Sequence, residues 1–307
     1  MVRWAALIAI CLVGTGTGAA IAEPCTGKGV ELQVLGSGGP EMQTKRASSG
    51  YLVWRDGKAR VLVDSGGGSA LRFGEAGAEM RDLDVVLFTH LHADHSADFP
   101  ALVKSSFFED RARPLPVFGP AGNRYFPATT VFVRAMLGGD KGAYRYLGGF
   151  LELGTASYII QPHDVAPKDR AFEQVYSVGG VAISATTVQH GAVPALAWRV
   201  AVGDAVIVFS GDTNGENGNL EKLGAGAGLF VAHNAVPEGA VGIERQLHMP
   251  PSVIGRIAAE AGVGGVVLSH RMLRTLGKET ETQQSVAARY EGPIQFANDL
   301  DCYSIIR

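Results

Sequence analysis

Three imidazoles and a carboxylate fall within six consecutive residues, His90-Leu91-His92-Ala93-Asp94-His95, directly behind the apolar run Val85-Val86-Leu87-Phe88. Imidazole nitrogen and carboxylate oxygen are the first-row metal ligands that do not depend on cysteine. The apolar run is short and β-branched and reads as a buried strand. Side chains two apart on an extended chain share a face, so His90 and His92 can aim at one point. Asp94 and His95 are adjacent, fall on different sides of the bend that follows, and reach a second point nearby. One loop can therefore seed two metals at a strand end, where sites in layered α/β folds collect.

One loop cannot complete two coordination shells, since zinc takes about four ligands and a catalytic zinc keeps one position for water. Three further donors close apolar runs downstream. His190 follows 181–188, Asp212 follows Ala205-Val206-Ile207-Val208-Phe209-Ser210-Gly211, and His270 follows Val266-Val267-Leu268-Ser269. Each alone reads as a hydrogen-bonded loop residue; four strand ends offering only His and Asp do not.

These motifs together, His-x-His-x-Asp-His, a distant His, Phe209-Ser210-Gly211-Asp212-Thr213 and Leu268-Ser269-His270, resemble the metallo-β-lactamase-fold hydrolases. Asp64, in Val61-Leu62-Val63-Asp64-Ser65-Gly66, resembles that superfamily's first motif. Finer detail is similar to the ribonuclease Z, arylsulfatase and cyclic-nucleotide phosphodiesterase branch. It lies in Leu35-Gly36-Ser37-Gly38-Gly39-Pro40, His190-Gly191-Ala192-Val193-Pro194, His233-Asn234-Ala235 and Leu247-His248-Met249-Pro250. The resemblance implies one zinc on His90, His92 and His190, another on Asp94, His95 and His270, and Asp212 bridging them. Manganese or iron are alternative metals. The branch's proton donor falls on His248. Its His-Glu-Ala segment reads His233-Asn234-Ala235 here, and Asn cannot titrate, so His233 stands as an orienter or acid. Asp94, His233 and His248 are the catalytic candidates, with Asp64 and Thr89 as groups that orient the ligands.

The order of elements supports an α/β fold in four layers, the αβ/βα sandwich the resemblance also implies. Strands are expected over 30–35, 49–54, 60–63, 84–89, 181–188, 195–202, 205–210, 229–232 and 265–269. Helices are expected over 97–108, 251–261 and 282–290. Within 119–162 apolar and aromatic residues recur at helical spacing. That segment reads as a helix covering the core, or as a lid whose Met136, Leu137, Tyr144 and Tyr146 touch an apolar substrate group. His163 reads as a loop histidine.

Residues 1–22 read as a signal peptide: Arg3, an apolar stretch from Trp4 to Val13, and Ala20-Ile21-Ala22 before Glu23. Export to the periplasm or beyond is expected, with 23–307 as one catalytic domain and no stable membrane anchor. Cleavage would leave Cys25 and Cys302, an even pair that invites a disulfide outside the cytosol. The net charge of −3 is mild and no Lys/Arg run is visible, so no nucleic-acid partner is expected.

The expectation is thus an exported dizinc metallohydrolase, cleaving a small phosphodiester or sulfate ester by attack of a metal-bound hydroxide. A homodimer is left open. The alternatives are a lactone or β-lactam hydrolase on the same site, or a non-catalytic zinc-binding accessory protein.

Overall fold

The computed structural model describes residues 25–168 and 172–305. The expected signal peptide lies outside the described residues. Two seven-stranded sheets pack face to face. The first has the order β14-β1-β2-β3-β4-β5-β6, with β1 Val30–Gly36, β2 Gly50–Arg55, β3 Lys58–Ser65, β4 Val85–Leu87, β5 Leu115–Pro120, β6 Ile160–Val165 and β14 Cys302–Ser304. The second runs β13-β12-β11-β10-β9-β8-β7, with β7 Glu173–Val178, β8 Val181–His190, β9 Val193–Val202, β10 Ala205–Phe209, β11 Leu229–His233, β12 Val266–Ser269 and β13 Ile294–Phe296.

Alternation along the strands divides the apolar residues between two faces. Val53, Val63 and Leu87 face Trp198, Val200 and Val231 across the central layer. Leu52, Leu62 and Val86 face outward, under the helices α1 (Ser69–Glu75), α3 (Phe99–Ser105) and α4 (Thr129–Leu137). On the other side Val208, Phe230 and Leu268 pack beneath α5 (Asn219–Gly224), α7 (Pro251–Ala261) and α8 (Glu279–Ala287). Each fully buried aliphatic side chain contributes roughly 1.5–3 kcal/mol. The result is the expected four-layer αβ/βα sandwich.

The elements depart from expectation where side chains capture the backbone. The strand expected over 84–89 ends at Leu87, because the Asp64 carboxylate takes the Thr89 N–H at 2.7 Å. The chain there also ties the sheets together: Leu196 N–H donates to Thr89 O at 2.8 Å, and the Trp198 indole donates to Phe88 O at 3.1 Å. The helix expected over 97–108 starts only at Phe99, with Pro100 in its first turn; a turn at Ala97-Asp98 separates it from a short α2 (Ala93–Ser96), and a 3-10 turn at Ser106–Phe108 follows it. Strands β5, β6, β7, β13 and β14 carry prolines, polar residues or exposed edges that hide them from an apolar pattern. His163 lies within β6, stacked on Phe118 with ring centroids 4.6 Å apart, and not in a loop. Leu137 is fully buried with Val133, Leu147 and Phe150, so it fills the outer core and does not face a substrate.

Cys25 and Cys302 form a disulfide that joins the first described residue to edge strand β14.

Candidate metal centre

The chain direction of the second sheet gathers the donors. Strand β9 is antiparallel to both β8 and β10, while β10, β11 and β12 are parallel. Strands β8, β10, β11 and β12 therefore end along one edge. His190 is the last residue of β8, Asp212 follows β10, His233 closes β11, and His270 follows β12. The loop after β4 brings His90 and His92 to the same edge, and α2 carries Asp94 and His95.

All seven expected ligands meet there. His90 Nε2 is 3.0 Å from His92 Nδ1, and the donor atoms of His90, His92 and His190 lie within 4.8 Å of one another. Asp94 Oδ2 lies 3.2 Å from His270 Nε2 and 3.5 Å from His95 Nε2. Asp212 sits between the groups. Its Oδ2 is 3.9 Å from His90 Nε2, 3.7 Å from His190 Nε2 and 3.7 Å from His95 Nε2, and its Oδ1 is 3.4 Å from His270 Nε2.

Hydrogen bonds behind the rings aim the free nitrogens inward. The carboxylate of Asp64 accepts from His95 Nδ1 at 2.8 Å, and Leu247 O accepts from His190 Nδ1 at 3.0 Å. Neither acceptor carries a hydrogen, so each neutral ring keeps its proton on Nδ1 and presents the Nε2 lone pair to the cluster. His95 Nε2 is fully buried without a hydrogen-bond partner. A buried, unpaired imidazole nitrogen is costly unless something satisfies it, and a cation between these donors does so. Asp64 and His270 both hold positive φ, 57° and 54°, a conformation that non-glycine residues adopt at a cost of about 1–3 kcal/mol.

Charge follows the crowding. Burial alone would raise the Asp94 carboxyl, but His95 and His270 hold it far below the ordinary carboxylate range. Asp212 is held low in the same way by His270, His248 and His95 against its own burial. Burial opposes protonation of His95, yet Asp94, Asp64 and Asp212 raise it well above its ordinary value.

The catalytic candidates separate. His248 follows α6 (Gly242–Leu247), with Nδ1 3.9 Å from Asp212 Oδ2, unpartnered and slightly exposed; burial pushes it down to about 3. His233 is 1 % exposed and held on both nitrogens: Nδ1 donates to Asp212 Oδ1 at 2.7 Å, and Nε2 lies 3.1 Å from the Tyr51 hydroxyl. Burial lowers it to about 4. His92 and Asp94 are only partly buried and mark the open side, while His248 is buried beside His190, ring centroids 5.3 Å apart.

Two neighbours carry no sequence signal. Tyr51 reads as an ordinary core residue of β2, yet it backs His233 and contacts Ser269 Oγ at 2.9 Å. Arg274 ties α6 to the loop after β12, pairing with Glu244 at 2.8 Å and donating to Ala235 O at 2.6 Å. Only the folded chain brings these together.

Comparison with known proteins places the arrangement. A family profile described as the metallo-beta-lactamase superfamily matches residues 44–247. A protein named ribonuclease Z from Mycobacterium sp. (strain KMS) is 31% identical over 284 residues, covering 88% of this chain and 94% of its own. Among solved structures, the metallo-beta-lactamase fold protein YhfI from Bacillus subtilis superposes with a TM-score of 0.69 at 21% identity, over 89% of this chain and 98% of its own. The short form of human tRNase Z superposes with a TM-score of 0.69 at 17% identity, over 90% of this chain and all of its own. These findings overturn two expectations. A small phosphodiester or sulfate ester substrate gives way, and so does the exclusion of nucleic acid, because relatives aligned over most of the chain are named as ribonucleases. Net charge misled because a mild average says nothing of where cations gather, and a His/Asp cluster does not disclose the size of its ester.

Proposed function

The chain belongs to the metallo-beta-lactamase superfamily and is a metal-dependent hydrolase, and from that premise we propose that it cleaves phosphodiester bonds in RNA. The observation that carries the reading is the alignment with proteins named ribonuclease Z over 88% of the chain. His90, His92 and His190 would hold one divalent ion and Asp94, His95 and His270 the other, with Asp212 between them. The all-nitrogen-and-oxygen donor set fits zinc, and manganese or iron are compatible. When bound, such ions supply Lewis-acid polarisation of the phosphoryl group and acidify water toward neutral pH.

The chain's own residues supply the rest. His233 fixes the Asp212 carboxylate from behind and, being enclosed, acts as an orienter and not as the acid. His248 stands beside the cluster, its Nδ1 without a hydrogen-bond partner, and donates a proton to the leaving oxygen. It is neutral in the free protein, and a phosphodiester anion placed against it favours the protonated form. Asp64 and Leu247 O keep His95 and His190 in the tautomers that ligation needs.

Export is a separate part of the proposal. We infer cleavage after Ala22, leaving 23–307 as one catalytic domain in the periplasm or outside the cell. The Cys25–Cys302 bond supports this, since disulfides persist in oxidising compartments. Sequencing the N-terminus of protein recovered outside the cytosol checks it: Glu23 is expected, and an intact Met1 contradicts it.

The test of function is a substrate panel with metal-replete protein: an unstructured oligoribonucleotide, a hairpin RNA with a single-stranded 3′ tail, nitrophenyl sulfate, a homoserine lactone and nitrocefin. Cleavage of RNA is expected. Hydrolysis confined to the sulfate, lactone or lactam contradicts the proposal.

A further inference from the structure

We propose that the exposed segment between β5 and β6 is the docking surface for the RNA strand leaving the metal cluster, an inference that rests on the RNA reading above. Three observations carry it.

The first is charge. The whole chain is net −3, yet the segment between β5 and β6, residues 121–159, holds Arg124, Arg134, Lys141 and Arg145 against Asp140 and Glu152. All four cations are exposed, and none pairs with a carboxylate among the described residues. Their spacing along α4 and the turns beside it produces no Lys/Arg run in sequence. A polyanion is the occupant such a surface fits.

The second is the interleaving of aromatic rings. Tyr125, Tyr144 and Tyr146 are 64%, 43% and 63% exposed, against a segment whose other face is packed. The Arg124 guanidinium lies over the Tyr125 ring at 4.5 Å. Exposed rings beside cations are what single-stranded nucleic acid stacks upon. The platform is held firmly: Val133, Leu137, Leu147 and Phe150 are buried beneath it, and Asp164 accepts from both the Thr130 N–H and its hydroxyl at 2.8 Å.

The third is continuity with the cluster. The Phe126 ring stands 6.4 Å from the His92 ring, edge to face, and Asn123 Nδ2 donates to Ala192 O at 2.9 Å, two residues beyond His190. The segment thus begins at the open rim of the metal centre, and a strand leaving it meets Phe126, then Arg124 and Tyr125.

The test is steady-state cleavage of a single-stranded oligoribonucleotide by the full, metal-replete chain across a salt series, with bis(4-nitrophenyl) phosphate measured in parallel. Tyr125→Ala should raise the KM for RNA about tenfold. Arg124→Ala and the Arg134→Ala/Arg145→Ala pair should flatten the log–log salt dependence by about 0.7 for each phosphate left without its cation. In each variant the ratio of RNA to bis(4-nitrophenyl) phosphate turnover should fall, while Arg289→Ala, on the helical layer of the other sheet, should keep it. Melting temperatures verify that the variants fold. Wild-type protein that cleaves RNA, with variants at wild-type KM and salt slope, overturns the docking surface and leaves the RNA reading standing. Wild-type protein that hydrolyses only the small diester overturns both.

Discussion

The Asp64 carboxylate holds the His95 ring from behind: its Oδ2 lies 2.8 Å from Nδ1, and both side chains are fully buried. The same carboxylate also accepts from the Thr89 N–H and hydroxyl, so its two oxygens serve three donors. Asparagine keeps the shape but offers one acceptor and an unwanted donor. Asp64→Asn should lower metal affinity about 10- to 100-fold, read by competition with a calibrated chelator. Wild-type affinity would mean that His95 needs no such support.

His248 stands beside the expected ligands, its Nδ1 unpartnered and 3.9 Å from Asp212 Oδ2. His248→Ala should keep its metal while RNA turnover falls about a hundred- to ten-thousandfold. The loss should shrink on bis(4-nitrophenyl) phosphate, whose leaving group needs little protonation. Equal losses on both substrates would remove the acid role.

Gly39 leaves room for the His270 ring. A Cβ at this position would lie 2.6 Å from His270 Cε1, closer than side-chain carbons approach. Gly39→Ala should therefore displace the ring and weaken the metal it shares with Asp94 and His95. Metal analysis after dialysis should find less bound than in wild type; an unchanged content would show that the ring relaxes without cost.

Without metal, the cluster should make stability fall as pH rises. Burial opposes a proton on His95 and His270, but Asp94, Asp64 and Asp212 raise the first, and Asp212 and Asp94 raise the second. A raised folded value contributes stability fully present below the ordinary value near 6.5 and lost above it. His90, His233 and His248 are lowered by burial and are neutral in both states above that value, so they do not offset the trend. Melting in chelator should weaken as pH rises above about 6.5. Metal binding needs deprotonated imidazole, so metal affinity should strengthen over the same window. A flat or rising melting temperature in chelator would contradict the charge pattern.

Much of this was readable before folding. The His-x-His-x-Asp-His loop, His190, Asp212 and His270 each stand at the end of an apolar run, and the strand edge that unites them follows from parallel chain direction. The helix over 251–261 matches α7 to the residue, because Pro251 opens it and Gly262, with φ 62°, closes it. What stayed hidden depends on distant partners. Tyr51 is an aromatic residue of a buried strand until β11 places His233 against it. Arg274 is one more surface cation until α6 brings Glu244. Edge strands β6 and β7 face solvent and so carry polar residues that break the apolar pattern. Substrate size was misjudged for a related reason: Arg124, Arg134 and Arg145 are scattered in sequence and form no run that a reading of charge along the chain would find.

The central claim is that side chains from separate strand ends grip two metal ions together. Metal content per chain, measured by mass spectrometry on folded wild type and on His190→Ala and His270→Ala, tests it most directly. The account predicts about two ions in wild type, with each variant losing metal and losing RNA cleavage with it. Wild-type protein that is folded, metal-free and still cleaves RNA would contradict it.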